Sequence, residues 1–364
     1  MRVLFVSPCL FEEHYGGVQK SAQIALEALC SNQQTTETRV LCYGARCQRR
    51  SCVETGMDPC SHSKLSAVLR ALRLRTRPGT ILLFWHLDLL RLLPLLGRRA
   101  ARICLFLHGV ECWRPMDARM RNLLARVDTF LTNSDFTWAR FLEMNPRWIA
   151  SEHRTVALGL DCPVPNIPAP AGVPAAIILG RTYRSENYKG HRELIEAWPT
   201  VLRSRNEAEL WVVGGGDAAD DLKGLAVKLG VERQVRFFGA VEEGEKQSLL
   251  RSARCLVLPS RGEGFGLAYL EAMRIGRPCL TGTEDAGHEV VNPPEAGLAV
   301  APSDISGLAA SILRLLSPGP EWQHWSARAK NRYESAYTAA HFQKRLLHVL
   351  LKGDRPAGIL DDLG

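Results

Sequence analysis

The sequence predicts an α/β protein of two doubly wound domains that face each other across a cleft, and two observations carry that expectation. Short apolar runs alternate with helix-length amphipathic segments along the chain, the pattern of parallel sheets covered by helices. That pattern breaks once, at Cys162-Pro163-Val164-Pro165-Asn166-Ile167-Pro168-Ala169-Pro170, and then restarts. Four prolines in nine residues can continue neither a helix nor a central strand, so the segment reads as an interdomain linker. A length of 364 residues suits two domains, and 46% hydrophobic with 23% charged residues suits well-filled cores.

Taken in order, Val3–Val6 is an uninterrupted apolar run, as expected of a strand buried on both faces. Pro8 and a polar segment follow it at once, so it reads as a strand rather than a secretion signal, and a cytoplasmic location is expected. Further strands are expected near Arg39–Cys42, Thr80–Phe84, Ile103–Leu107, Thr129–Thr132 and Thr155–Ala157, with helices such as Val18–Leu29 and Met116–Ala125 between them. After the linker, Ala175–Leu179, Glu209–Val213, Val235–Phe238, Cys255–Leu258 and Pro278–Thr281 are the strand candidates. A last helical pattern, about His341–Leu351, either caps the second unit or crosses back to the first. The expected division is 1–165, 166–340, and a terminal helix and tail over 341–364. In such sheets, ligands sit outside the C-terminal ends of the strands.

Composition excludes several classes. No run approaches the ~18 apolar residues of a membrane-spanning helix. Eleven cysteines include no Cys-x-x-Cys pair, and the spacing of Cys42, Cys47, Cys52 and Cys60 does not fit a zinc knuckle. No metal, no resident cofactor and no nucleic-acid partner are expected. The net charge of +8 lies wholly in residues 1–165, which hold 22 lysines and arginines against 14 acids. That half is expected to meet something anionic. Lys64–Arg77 is a basic amphipathic stretch, and Leu89–Leu96 followed by Gly97–Arg102 is a second. Both suit an anionic membrane surface, with Leu69, Leu72, Leu92 and Leu93 as inserting residues; ordinary helices with arginines on the wet face give the same pattern.

Two motifs carry chemistry. Ser260-Arg261-Gly262-Glu263-Gly264-Phe265-Gly266-Leu267-Ala268-Tyr269-Leu270-Glu271 follows an apolar strand and opens a helix. Its glycines let backbone N–H groups approach a ligand closely, and the helix N-terminus favours an anionic or hydroxyl-rich one. Glu263 and Glu271 can both address one extended ligand, and carboxylates accept several hydrogen bonds from sugar hydroxyls. In Gly180-Arg181-Thr182-Tyr183-Arg184-Ser185-Glu186-Asn187-Tyr188-Lys189-Gly190-His191, two cations eight residues apart at a strand end can grip a diphosphate and stabilise it as a leaving group. Val212–Asp217 is a strand running into a glycine turn. A fingerprint for a dinucleotide oxidoreductase is missing, since Ser7-Pro8-Cys9-Leu10 follows the first strand.

Together these segments resemble the family 4 retaining glycosyltransferases, whose signature is Glu-x7-Glu and whose fold is GT-B: two Rossmann-like doubly wound domains facing a central cleft. The similarity is specific over roughly Ile177–Val291 and looser before it. It implies that Glu263, with the backbone of Phe265, Gly266 and Leu267, holds the transferred sugar, and that Glu271 holds the ribose. Arg181 and Lys189, beside Gly180, are implied as the catalytic cations. Gly16 and Gly17 are implied beside the donor phosphates and His108 on the transferred sugar. For Gly239 and Val241, in Val235–Val241, a nucleobase contact and a plain buried strand stay equally open. Glu111 and Asp135 are each an acceptor contact or a helix cap.

The function so implied is metal-independent, retaining transfer of a hexose, of mannose or glucose type, from a GDP- or UDP-sugar. The acceptor is a saccharide or a polyprenyl-diphosphate-linked saccharide. The Tyr188–His191 and His108–Glu111 runs resemble bacterial exopolysaccharide enzymes. A GT-B phosphorylase, a disaccharide synthase with a soluble acceptor, and a non-catalytic nucleotide-sugar-binding subunit are the alternatives.

Overall fold

Twelve strands form two six-stranded sheets in the computed structural model, which describes residues 1–8, 10, 16–43, 64–74, 76–96, 100–161, 163–164, 169–170 and 172–351. The first sheet comprises β1 (Arg2–Pro8), β2 (Glu37–Tyr43), β3 (Thr80–Phe84), β4 (Ala100–Leu107), β5 (Thr129–Thr132) and β6 (His153–Thr155), in the order β2-β1-β3-β4-β5-β6. The second comprises β7 (Ala175–Leu179), β8 (Glu209–Val213), β9 (Val235–Gly239), β10 (Cys255–Leu258), β11 (Cys279–Gly282) and β12 (Gly297–Val300), in the order β12-β11-β10-β7-β8-β9. Every pairing is parallel.

The central strands β3, β7 and β10 are buried at every residue, which is why they read as unbroken apolar runs and were delimited from sequence alone. Edge strands depart from that expectation. β6 lies two residues before the expected Thr155–Ala157, because a single neighbour, β5, fixes its register through Phe130↔His153. β12 was not foreseen: Gly-Leu-Ala-Val is short and poor in β-branched residues, and pairing with β11 alone makes it a strand.

In each sheet the strand order reverses once, between β1 and β3 and between β7 and β10. Brackets of that kind open a crevice at the C-terminal strand ends. The segments after β1, β4, β7 and β10 all emerge there, and they include both motifs.

The helix Ala339–Leu351 packs on the first unit. Gln343 Nε2 donates to Ile24 O in the helix Gly17–Ser31, Arg345 donates twice to Ala157 O, and Arg102 donates to Val349 O. Leu160 N donates to Tyr337 O at 3.0 Å, so the two passages of chain between the units run side by side.

The basic stretches divide. Lys64–Arg73 is a helix with Ala67 and Ala71, and Leu74 just after its end, against the core, while Leu65, Leu69 and Leu72 are 68%, 48% and 56% exposed. Leu89–Leu96 is a correction. It folds as a 3-10 turn and a short helix whose Leu89, Leu90, Leu93 and Leu96 are buried, so Leu93 is a core residue and cannot insert into a membrane. Arg75, residues 97–99, Cys47, Cys52, Cys60 and most of the 162–170 linker lie outside the described residues. Among those described, no helix is long and apolar enough to cross a membrane.

Candidate active site

Two polar cavities meet at Gly17 and Leu267. The inner one, of about 310 Å³, is lined by His108, Glu111, Arg181, Lys189, Glu263, Phe265 and Gly266 among others. The outer one, of about 430 Å³, is lined by Gly16, Lys20, Lys246 and Glu271 among others. Eleven of the site residues singled out from sequence are thus brought together, from loops far apart in the chain.

Lys189 Nζ lies 2.6 Å from Glu263 Oε1 and 3.6 Å from Glu186 Oε2. Burial pulls the Lys189 ammonium down, but the charges of Glu263 and its neighbours more than offset it, so its pKa is raised and the cation persists at neutral pH. Arg181 is largely exposed, and its guanidinium lies 2.5 Å from Glu186 Oε1. Glu271 sits on the helix Leu267–Met273 with Oε1 at 3.0 Å from Lys246 and 3.4 Å from Lys20. Lys20 comes from the first unit, so this carboxylate is gripped across the cleft.

His108 is buried at the end of β4, stacked on Phe106 with ring centroids 4.6 Å apart, and Nε2 donates to Trp85 O at 2.8 Å. Burial, aided by His86, pushes its pKa down to about 3, so the ring is neutral. Glu111 turns back to accept from His108 N at 2.5 Å. Asp135 is the first residue of the helix Asp135–Met144, whose N-cap is Ser134, so the helix-cap reading of Asp135 is corrected. Asp135 instead accepts from Thr155 Oγ1. Gly180, Gly239 and Val241 line neither cavity; Gly239 O accepts from Gly214 N at 2.8 Å, and Val241 packs against the core.

Several residues escaped sequence reading. Ser134 Oγ and Thr137 Oγ1 both donate to Gly264 O, at 2.7 and 3.1 Å, which ties the glycine loop to the first unit. Glu289 accepts from the backbone N–H groups of Asp135 and Phe136, at 3.1 and 2.6 Å, so a carboxylate of the second unit stabilises a helix N-terminus of the first. Asp285 is buried beside Glu263; burial foremost, then the Glu263 charge, push its carboxyl up to about 8. It is therefore mostly protonated at pH 7. Its signal was the turn after β11, Gly282-Thr283-Glu284-Asp285-Ala286-Gly287, a strand-to-helix passage like the two already singled out.

Residues 173–318 match the profile of the family described as Glycosyl transferases group 1. A GDP-mannose-dependent monoacylated alpha-(1-6)-phosphatidylinositol monomannoside mannosyltransferase of Corynebacterium glutamicum is 31% identical over 169 residues, 44% of each chain. A glycogen synthase of Mycobacterium tuberculosis is 34% identical over 154 residues, 42% of this chain and 37% of its own. The matched stretch therefore spans less than half of either relative. Likeness of the whole chain is structural: the lipopolysaccharide outer core galactosyltransferase WaaB superposes with a TM-score of 0.74 at 16% identity, over 96% of this chain and 99% of that one. With both sheets, the crevice and the motif loops in place, the chain has the GT-B fold, and its residues 173–318 are similar to the group 1 glycosyl transferases.

Proposed function

We propose that this chain is a retaining glycosyltransferase that moves a hexosyl group from a GDP- or UDP-sugar to a saccharide or lipid-linked saccharide. The observation that carries the reading is the cluster of Arg181, Lys189, Glu263 and Glu271 around one polar crevice between the two units. In this reading Glu271 takes the ribose, which displaces Lys20 and Lys246. Glu263 and the backbone of Phe265 to Leu267 take the sugar, with His108 on its other side. Arg181 and Lys189 stabilise the departing diphosphate, whose own oxygen accepts the acceptor proton as the hydroxyl attacks from the same face. The protein cations stand in for a divalent ion, so full transfer is expected after exhaustive chelation; loss of activity restored by magnesium or manganese would contradict this.

The test of the reading is a panel of UDP-, GDP- and ADP-sugars screened for thermal stabilisation, then for transfer, with the anomeric configuration of the product read by NMR. An inverted product refutes retention, and no stabilisation by any donor refutes the assignment. Ground-state and transition-state roles separate by mutation. Glu271→Ala is expected to weaken nucleotide affinity chiefly, because a ribose contact is made throughout the reaction. Glu263→Ala is expected to lower kcat more than it raises KM. The opposite pattern would exchange their roles.

A lipid-linked acceptor is favoured by the helix Lys64–Arg73, where Leu65, Leu69 and Leu72 form one exposed row beside Arg70 and Arg73. Each basic residue near an anionic bilayer contributes ~1 kcal/mol, fading beyond a Debye length. Sedimentation with anionic vesicles at low salt is expected, with loss at high salt and in a triple Leu→Ser variant of that row. Retention in the supernatant at low salt would point to a soluble acceptor, as in a disaccharide synthase.

A further inference from the structure

We propose that Glu186 is an internal counter-ion that occupies the diphosphate clamp between turnovers and competes with the nucleoside diphosphate for it. The inference rests on the donor reading above. Glu186 lies in the same loop as both cations and bridges them: Oε1 is 2.5 Å from Arg181 Nη2 and Oε2 is 3.6 Å from Lys189 Nζ. Its side chain is only 12% exposed, whereas Arg181 is 65% exposed, so the carboxylate is tucked inward and the guanidinium folds over it. Oε2 has no hydrogen-bond partner, so that oxygen is held by charge rather than by a fitted donor.

The loop is built to let this side chain move while its backbone stays fixed. Arg184 anchors it on one side, through its N–H to Asp217 Oδ1 at 2.7 Å and its guanidinium to Asp221 Oδ2 at 2.8 Å. Tyr188 anchors it on the other, accepting at its carbonyl from Arg261 N at 2.9 Å. Between these anchors Glu186 departs from helical backbone, at φ −113° and ψ 29° within the 3-10 segment Arg184–Lys189.

Charge balance gives the consequence. Arg181, Lys189, Glu186 and Glu263 sum to zero, so a diphosphate entering among them meets two carboxylates as well as two cations. Glu263 keeps its contact with Lys189 at 2.6 Å and faces the sugar. Glu186 does not line the cavity that Glu263 lines but a neighbouring one with Tyr183, Arg184 and Tyr188, so it is the carboxylate that can swing clear. Its return to Arg181 and Lys189 after transfer then favours release of the nucleoside diphosphate. Glu186 is thus a positioning residue that sets the clamp's affinity, and it touches no reacting atom.

The experiment uses the full chain and calorimetric titration with UDP, GDP and ADP, each beside its nucleoside monophosphate. Glu186→Gln removes the charge at constant shape and is expected to bind the preferred diphosphate about tenfold more tightly, since a like charge beside it is gone. Monophosphate affinity should change far less, and Glu186→Asp should stay near wild type. Steady-state kcat should fall in the Gln variant while KM for the donor drops. Glu186→Ala, with melting temperatures for all variants, provides the same reading should the Gln chain fold poorly. Unchanged or weaker diphosphate binding in charge-removed variants that fold would overturn the inference, leaving Glu186 as a support for Arg181. Failure of the wild type to bind any of the three diphosphates would instead defeat the donor reading, and this inference with it.

Discussion

Lys189→Ala is expected to lower kcat by about 10² to 10³, as typical for removal of one preorganised donor at a site of developing charge. Lys189 is the junction of the inner cavity, with its side chain 13% exposed and both Glu263 and Glu186 as partners. Its loss removes a charge from the leaving diphosphate. It also takes from Glu263, beside the buried Asp285, its ion-pair partner at 2.6 Å, while Glu186 keeps Arg181. Arg181→Ala should give a loss of the same order. Initial rates at saturating donor decide the matter, and near-normal turnover in both variants would remove the clamp assignment. Lys189→Arg should recover only part of the loss, because a planar fork cannot reproduce a compact ammonium packed at 2.6 Å from Glu263.

Gly264→Ala is expected to cost about 10² in turnover while nucleotide binding changes little. A Cβ at residue 264 would stand 1.9 Å from His108 O and 2.9 Å from Gly109 Cα, both backbone atoms of the first unit. Something must shift, and the contact that can yield lies between the units rather than within a core. Opening there would break the hydrogen bonds from Ser134 and Thr137 to Gly264 O and draw His108 away from Glu263. A displacement near 1 Å at the reacting centre is enough for a loss of that size. Glu271, Lys246 and the outer cavity lie on the helix side of the loop, so nucleotide affinity provides the internal control. Wild-type turnover in this variant would show that the closed contact at Gly264 is dispensable.

Charge contacts show how far sequence reading reached. Arg181, Lys189, Glu263 and Glu271 were legible because each pair sits within one strand-to-helix passage, eight residues apart, where local spacing implies common direction. Glu186 stood in the quoted motif but passed unnoticed, since nothing in its spacing says that it folds back between the two cations. Lys20 was invisible for a different reason: it meets Glu271 across 251 residues of sequence, and no periodicity encodes such a pairing. The leucine-rich stretches make the same point for burial. Leu65–Leu72 and Leu89–Leu96 look alike as sequence, yet one row is exposed and the other fills the first unit's core.

Sequence by itself determined the strands buried on both faces and the two motif loops, because burial on both faces and tight strand-to-helix turns leave local signatures in residue type. Only the tertiary structure decided the edge strands β6 and β12, the partners of each charged group, the protonated Asp285 beside Glu263, and the Ser134, Thr137 and Glu289 contacts that join the units. Those features depend on which distant segments are brought within a few ångströms of each other, and electrostatics and hydrogen bonding act over that distance whatever the separation along the chain.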